Sequence, residues 1–202
     1  MTDLSQYASG TLVLLVSTAA ISPLGLGIFP GIIRMAAFHP YRLVRNSEYG
    51  RLISSGFVHG NFLHLFFNLL TFYFFGGPLE YRIGTPAFVL LYALGLLLGN
   101  LGTYYRHRND PDYVTLGASG AISAVLFASI VYFPTNRIFI LPLPVPIPAP
   151  LFAVLYLAYS YYQSRQSGGP INHEAHIAGA LTGLGFVALT DPAAYERLLA
   201  VF

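Results

Sequence analysis

Three short clusters of polar residues interrupt an otherwise apolar chain, and each contains side chains capable of chemistry. His64 and Asn68 are four residues apart, so they share one face of a helix. Ser119 stands among small residues, and His176 follows much later in the chain. A serine becomes a nucleophile when a base takes its proton, and imidazole titrates near neutral pH. These residue types indicate acyl transfer, with Ser119 as nucleophile and His176 as general base.

Glycines accompany both candidates. Gly117 and Gly120 flank the serine, where small residues allow a tight turn and the close approach of a substrate backbone. Gly179 and Gly183 share a helix face with the histidine and would let that helix press against the helix of the serine. The imidazole would thereby reach the hydroxyl. Since no aspartate is placed as a third member, the sequence predicts a dyad.

The remaining polar residues suit an oxyanion site. His64 and Asn68 could donate hydrogen bonds to a developing oxyanion, and one such donor is worth about 2.7–4 kcal/mol in the transition state. The start of the serine helix adds backbone N–H donors and the positive end of the helix dipole. His59 precedes this cluster and is interpreted as a loop hydrogen-bonding residue that positions His64 or the loop.

A zinc site is the alternative chemistry for the histidines of these clusters, which are His59, His64, His173 and His176. The H-E-A-H order of 173–176 differs from the H-E-x-x-H pattern, which places two imidazoles one turn apart. Glu174 is the acidic residue nearest to them. Cysteine is absent from the sequence, which excludes thiolate ligands, cysteine nucleophiles and disulfides. A site without metal or cofactor is predicted.

The elements that position these residues are predicted to lie in a membrane. Of the 202 residues, 55% are hydrophobic and 9% are charged, whereas soluble domains carry about 25% charged residues. The apolar residues form uniform runs rather than the stripes of an amphipathic soluble helix. The net charge of +2 is scattered over arginines, so no nucleic-acid surface is expected. Residues 1–10 lack the basic start of a cleavable signal peptide, and the first apolar segment is interpreted as a retained span.

Six apolar segments are candidates for membrane-spanning helices, which need about 20 residues each. They are residues 11–35, 62–78, 85–105, 118–133, 148–163 and 174–190. The polar clusters open the second, fourth and sixth segments. Even-numbered spans begin on the same side of a membrane, so the clusters should meet at one depth. The prediction is an all-α bundle of six transmembrane helices forming a single domain over 1–202.

The connections predict further features. Pro23 and Pro30 should kink or end the first span. Residues 36–60 are too long for a tight turn and should form a structured loop at one membrane face. Alternating prolines in 142–150 should hold an extended segment at the interface, and 163–172 should be a flexible link. Gly95 and Gly99 are interpreted as helix-packing residues.

The ordered motifs resemble those of the rhomboid intramembrane serine proteases over residues 51–191. The motifs are Arg51-Leu-Ile, Phe57-Val-His59, His64-Leu-Phe-Phe-Asn68, Phe75-Gly-Gly-Pro-Leu-Glu80-Tyr-Arg82-Ile-Gly84, Gly117-Ala-Ser119-Gly120 and Ala175-His176-Ile-Ala-Gly179-x-x-x-Gly183. The resemblance implies a six-helix bundle with a recessed site, the dyad described above, and an oxyanion site of His64, Asn68 and the Ser119 amide. It implies a substrate gate formed by the fifth helix and the cap loop before the sixth.

The resemblance also implies partners and a structural motif. The partners are transmembrane protein substrates and the lipid bilayer, while no sequence feature specifies an oligomeric state. Glu80 and Arg82 match a structural loop motif at the opposite membrane face, where they would form a hydrogen-bonded or ionic clasp. A small transporter with a polar site is disfavoured, because the odd-numbered spans are nearly free of ionisable groups.

Ser123 is a departure from the family pattern. Many members carry a tyrosine four residues after the serine, and it stacks on the catalytic histidine. Here either another aromatic residue supplies that surface or the histidine is held more loosely. The alternative function is therefore a catalytically weak or inactive rhomboid-like protein that binds membrane helices.

The arginines bear on orientation. With a cytoplasmic N-terminus, three arginines lie in cytoplasmic loops and seven on the other side. This is the reverse of the positive-inside pattern. The resemblance implies a bacterial inner (plasma) membrane protein with its active site towards the extracytoplasmic side, and we adopt that orientation as the prediction.

Overall fold

The computed structural model describes residues 9–141, 143–166, 169 and 171–201. This part of the chain is mostly helical, with one pair of short strands. The elements are α1 (Ser9–Pro23), α2 (Gly31–Ala36), α3 (Arg42–Arg45), α4 (Arg51–Ser54), α5 (Phe62–Ile83), α6 (Thr85–His107), α7 (Ser119–Tyr132), β1 (Arg137–Ile140), β2 (Leu143–Pro148), α8 (Ala149–Ser164), α9 (His173–Thr190) and α10 (Ala194–Leu199). A π-helical turn, Leu24–Ile28, extends α1, and a 3-10 turn, Ser55–Phe57, follows α4.

Within the described residues, three helices are long and apolar enough to cross a membrane. They are Ser9–Ile28, α5 and α6, and α7 is a shorter apolar helix. Large hydrophobic side chains such as Leu12, Phe66 and Leu90 are exposed on these helices. An outward apolar surface of this kind is solvated by lipid rather than by water. The predicted class, a polytopic helical membrane protein, is confirmed.

Each of the six predicted spans overlaps a helix, but the boundaries differ in two places. The first predicted span, 11–35, is not one helix: it divides into α1, the π-helical turn and α2, and Pro30 stands at the start of α2. The second was expected to end at Pro78, yet α5 continues to Ile83. With 14 and 16 residues, α7 and α8 are shorter than an ordinary span. The count of six crossings therefore stays a prediction.

The proline-alternating segment is extended, as predicted, and it forms half of a small hairpin that was not predicted. β1 and β2 pair in antiparallel register, with Arg137 opposite Pro148 and Phe139 opposite Pro146. Proline has no N–H to donate, which confines it to edge strands, and a two-stranded hairpin consists of edges alone. Pro142 of the extended segment and Ser167, Gly168 and Pro170 of the predicted flexible link lie outside the described residues.

α7 is the central helix of the bundle, and every residue from Gly120 to Tyr132 is buried. Glycines bring its neighbours to backbone contact. A Cβ at position 95 would lie 3.0 Å from the Ala121 Cα, and one at position 99 would lie 3.3 Å from the Gly120 Cα and from the Ala175 carbonyl oxygen. Gly95 and Gly99 therefore pack α6 against both α7 and α9.

The connection over residues 36–60 is a structured loop containing α3 and α4. The Arg51 guanidinium pairs with Glu48 at 2.7 Å and donates to the carbonyl oxygens of Arg34 and Ala37, each at 2.8 Å. The Asn100 amide on α6 donates to the Leu52 carbonyl oxygen at 2.8 Å. These bonds hold the loop against the end of α6.

Glu80 and Arg82 lie in the last turns of α5 rather than in a loop, because the helix continues past Pro78 and ends before Gly84, which has a φ of 81°. The Glu80 carboxylate accepts from the backbone amides of Gly10 and Thr11 at 2.9 and 2.7 Å, and from the Thr11 and Thr85 hydroxyls at 2.7 Å. It thereby joins the start of α1 to the α5–α6 connection. Arg82 pairs with Asp191 at 3.4 Å across the same end of the bundle.

Candidate active site

Ser119 is the first residue of α7, and it is half-buried at the open end of this helix. Gly117 makes the turn into the helix with a φ of 112°, a region in which residues with side chains are strained. Its amide donates to the Ser55 carbonyl oxygen at 2.9 Å, which ties the turn to the structured loop. The first amides of a helix have no acceptor within the helix, and Ala118 provides no side-chain cap. The Ser119 amide is thus available to a ligand.

Backbone contact between α7 and α9 brings Ser119 and His176 to the same end of the bundle. A Cβ at position 179 would overlap the Gly120 carbonyl oxygen, and one at position 183 would overlap that of Ala124. His176 stands one turn before Gly179, and Ser119 is adjacent to Gly120. Among the described residues, no hydrogen bond joins the Ser119 Oγ to the His176 ring. Catalytic hydrogen bonds often close only when substrate binds.

The His64 ring lies directly against the turn before Ser119. A Cβ at position 117 would be 2.7 Å from His64 Cε1 and 2.8 Å from Nε2. The His59 and His64 rings meet edge to face, with centroids 4.8 Å apart. His59 is fully buried, and its Nδ1 lies 3.2 Å from the Ser22 Oγ of α1. The absence of a side chain at Gly117 therefore also makes room for the His64 ring.

Asn68 lies one turn after His64 on α5 and is buried. Its Nδ2 donates to the His64 carbonyl oxygen at 2.9 Å, a bond within the same helix. A side-chain amide has two N–H donors, so one remains for a ligand. Its Oδ1 has no partner among the described residues.

Asn172 fixes the start of the histidine helix, and the sequence analysis missed it. Its Oδ1 accepts from the Ala175 amide at 3.0 Å, which caps α9. Its Nδ2 donates to the hydroxyls of Thr103 and Thr115 at 2.8 and 3.0 Å. One side chain therefore joins α9 to α6 and to the segment before α7. A local signal was present, since asparagine is a common residue at helix starts.

An aromatic residue faces His176 from α8, the helix that the family resemblance implies as part of a substrate gate; the sequence did not single out this residue. The Tyr156 ring of α8 lies nearly parallel to the imidazole, with an interplanar angle of 18° and centroids 6.1 Å apart. Its hydroxyl lies 3.2 Å from the Ser123 Oγ. No local pattern around Tyr156 could have indicated this contact, because it depends on how α8 packs.

The four histidines considered as zinc ligands separate into two pairs, His59 with His64 and His173 with His176. The Glu174 carboxylate lies 3.8 Å from Arg106 and 3.8 Å from His107. Within the described part of the chain, no group of three or more His, Asp or Glu side chains is arranged to hold a metal ion.

Comparison with known proteins gives one family. The rhomboid domain model matches residues 46–191 of the chain. YdcA of Bacillus subtilis (strain 168) is 44% identical over 80 residues, which cover 39% of each chain. RHOMBOID-like protein 5 of Arabidopsis thaliana is 32% identical over 154 residues, covering 75% of this chain and 48% of the relative. The rhomboid protease GlpG of Haemophilus influenzae is 30% identical over 145 residues, 71% of each chain. The chain thus spans about two fifths of YdcA and about half of the Arabidopsis protein.

Proposed function

Because the chain belongs to the rhomboid family, we propose that it is an intramembrane serine protease that cleaves peptide bonds in or near transmembrane segments of other membrane proteins. Ser119 is the nucleophile and His176 the general base. The observation that carries this proposal is the α7–α9 backbone contact at Gly120 and Gly179, which brings the two side chains to one end of the bundle.

The chemistry follows from the positions of these groups. His176 takes the proton of the Ser119 hydroxyl as its oxygen attacks the substrate carbonyl carbon. The resulting oxyanion accepts from the Ser119 amide, the His64 ring and the free N–H of Asn68. His176 then gives the proton to the leaving amine, and the acyl group stays on Ser119. A water molecule, deprotonated by His176, releases the acyl group and restores the serine.

The length of α7 favours a site below the membrane surface. Its 14 residues rise by about 21 Å, whereas the hydrocarbon core is about 30 Å thick. A helix shorter than the hydrocarbon core cannot reach both membrane surfaces. One of its ends therefore lies inside the protein, below the membrane surface. Water must reach this point for hydrolysis, and Ser119 and His176 are half-buried rather than fully enclosed.

Ser119→Ala tests the proposal. We expect cleavage of a transmembrane reporter substrate in liposomes to fall by a factor on the order of 10⁴ to 10⁶, since a nucleophile has no substitute. Labelling by a fluorophosphonate should disappear in the same variant. Ser129→Ala is the matched control, because Ser129 is a buried serine on the same helix, away from the site. Equal cleavage by Ser119→Ala and the wild type would overturn the assignment.

The alternative, a rhomboid-like protein that binds membrane helices without cleaving them, makes the opposite prediction for the same assay. Such a protein would bind the reporter helix without cleaving it, and the fluorophosphonate would not label the wild-type chain. The motivation for this alternative is Ser123, at the position where many family members carry a tyrosine. The Tyr156 ring beside His176 favours the protease instead.

We also propose that the site faces the extracytoplasmic side of a bacterial inner membrane. The loop at 108–112 lies at the active-site end, since Arg106 in the last turn of α6 pairs with Glu174 at the start of α9. We therefore expect alkaline phosphatase to be active when inserted in this loop and inactive when fused after Phe202. A green fluorescent protein fusion serves as the control, with the reverse pattern. Active phosphatase at the C-terminus would reject this orientation.

A further inference from the structure

Tyr156 stands where a stacking partner for His176 is needed. The ring of Tyr156 and the imidazole lie at an angle of 18°, with centroids 6.1 Å apart, which is an offset-stacked arrangement. Position 123, one turn after the nucleophile, holds a serine that cannot cover the imidazole. The aromatic surface therefore comes from α8 and not from α7.

Three contacts hold Tyr156 in this place. Its hydroxyl lies 3.2 Å from the Ser123 Oγ. The Phe127 ring of α7 and the Phe152 ring of α8 lie 5.5 and 5.6 Å from it, measured between centroids. Ser123 is buried, so this hydrogen bond is shielded from water and has a defined geometry. The small side chain at position 123 both leaves room for the Tyr156 ring and binds its hydroxyl.

A second tyrosine–histidine contact lies one turn away on the same two helices. Tyr159 meets the His173 ring edge to face, with centroids 5.6 Å apart. The His173 and His176 rings are themselves 5.8 Å apart. Two tyrosines three residues apart on α8 thus face two histidines three residues apart on α9. Both contacts form only when α8 is seated against the bundle.

We infer that Tyr156 is the positioning residue for the general base, and that it couples the orientation of His176 to the seating of α8. This inference rests on the proposed protease function. When α8 is seated, the imidazole is held between the aromatic surface and Ser119. When α8 moves away, the imidazole loses this support, so the catalytic geometry depends on the helix that borders the site.

The experiment measures kcat and KM for cleavage of a transmembrane reporter in liposomes. Tyr156→Leu should lower kcat by about 10- to 100-fold, because a displaced catalytic group loses rate steeply, while KM changes little. Tyr156→Phe keeps the ring, so its kcat should fall by less than about tenfold, the usual value of one hydrogen bond. Tyr162→Leu is the control, since Tyr162 is an exposed tyrosine on the same helix. Its kcat should equal that of the wild type.

A relocated ring gives the decisive comparison. The double variant Ser123→Tyr/Tyr156→Leu places a tyrosine on α7 and should recover most of the lost kcat. The inference is overturned if Tyr156→Leu matches Tyr162→Leu, if Tyr156→Phe loses as much as Tyr156→Leu, or if the folded double variant stays impaired. Should Tyr156→Leu fail to fold, Tyr156→Met replaces it. Ser119→Ala is measured in parallel. If Ser119→Ala still cleaves the reporter, the proposed function is wrong. If Ser119→Ala is inactive but Tyr156→Leu cleaves at the wild-type rate, only this inference is wrong.

Discussion

Replacing Gly179 with alanine is expected to force α7 and α9 apart and to remove both stability and activity. A Cβ at this position would overlap the Gly120 carbonyl oxygen and lie 3.1 Å from the Gly120 Cα. Both neighbours are backbone atoms, which cannot rotate aside as a side chain can. Overpacking of this kind costs about 1–3 kcal/mol and sometimes more. Displacing His176 from Ser119 by about 1 Å should lower kcat about 100-fold.

Gly185→Ala is the matched control for this change. Gly185 lies on the same helix, and a Cβ there would have nothing within 4 Å. Since alanine favours helix by about 1 kcal/mol over glycine, this variant should be as stable as the wild type or slightly more so. The measurement is the unfolding midpoint in a denaturing-detergent titration, followed by the cleavage rate. Equal midpoints for Gly179→Ala and Gly185→Ala would show that α7 and α9 are not in backbone contact.

His176→Ala is expected to abolish cleavage almost as completely as loss of the nucleophile. A dyad acts as a unit, so loss of the base alone costs about as much as loss of the nucleophile. Adding Ser119→Ala to His176→Ala should therefore lower the rate no further, because residues that act together are strongly non-additive. Fluorophosphonate labelling of Ser119 should be lost along with cleavage.

The control for this prediction is His107→Ala. His107 lies in the last turn of α6, where its ring stacks on Tyr113 with centroids 3.6 Å apart and contacts Glu174 rather than the dyad. This variant removes an imidazole outside the proposed dyad and should cleave the reporter at close to the wild-type rate. The assignment of the base would be wrong if His176→Ala kept its activity, or if the double variant fell well below both single variants.

Much of the bundle could be predicted because lipid imposes strong rules on sequence. Uniform apolar runs indicate helices, and polar residues within them are costly. Helix parity therefore predicted that the clusters at His64, Ser119 and His176 would share one end of the bundle. The structure places the His64 ring against Gly117, and it joins Gly120 to Gly179. The catalytic roles of these residues stay predictions.

A contact between distant segments and the form of two local irregularities could not be predicted. Tyr156 lies 20 residues before His176 in sequence, on another helix, and only tertiary packing brings the rings together. The β1–β2 hairpin was missed because proline-rich segments lack strand periodicity and pair only through local geometry. The π-helical turn between α1 and α2 follows Pro23. The proline predicts an interruption of the helix at this point, but it does not predict a π-helical turn.

The glycine contacts of α7 also have a mechanical consequence. Backbone rests on backbone where α6 and α9 meet α7, at Gly95, Gly99, Gly179 and Gly183. Such junctions contain no flexible side chains and resist compression, whereas α8 leans on α7 through Phe152, Tyr156 and Leu157. Helices α6, α7 and α9 thus form a rigid core, and α8 is the helix that packs against it less rigidly. We therefore expect lateral pressure from the bilayer to displace α8, and with it the Tyr156 ring, before it changes the spacing between α7 and α9.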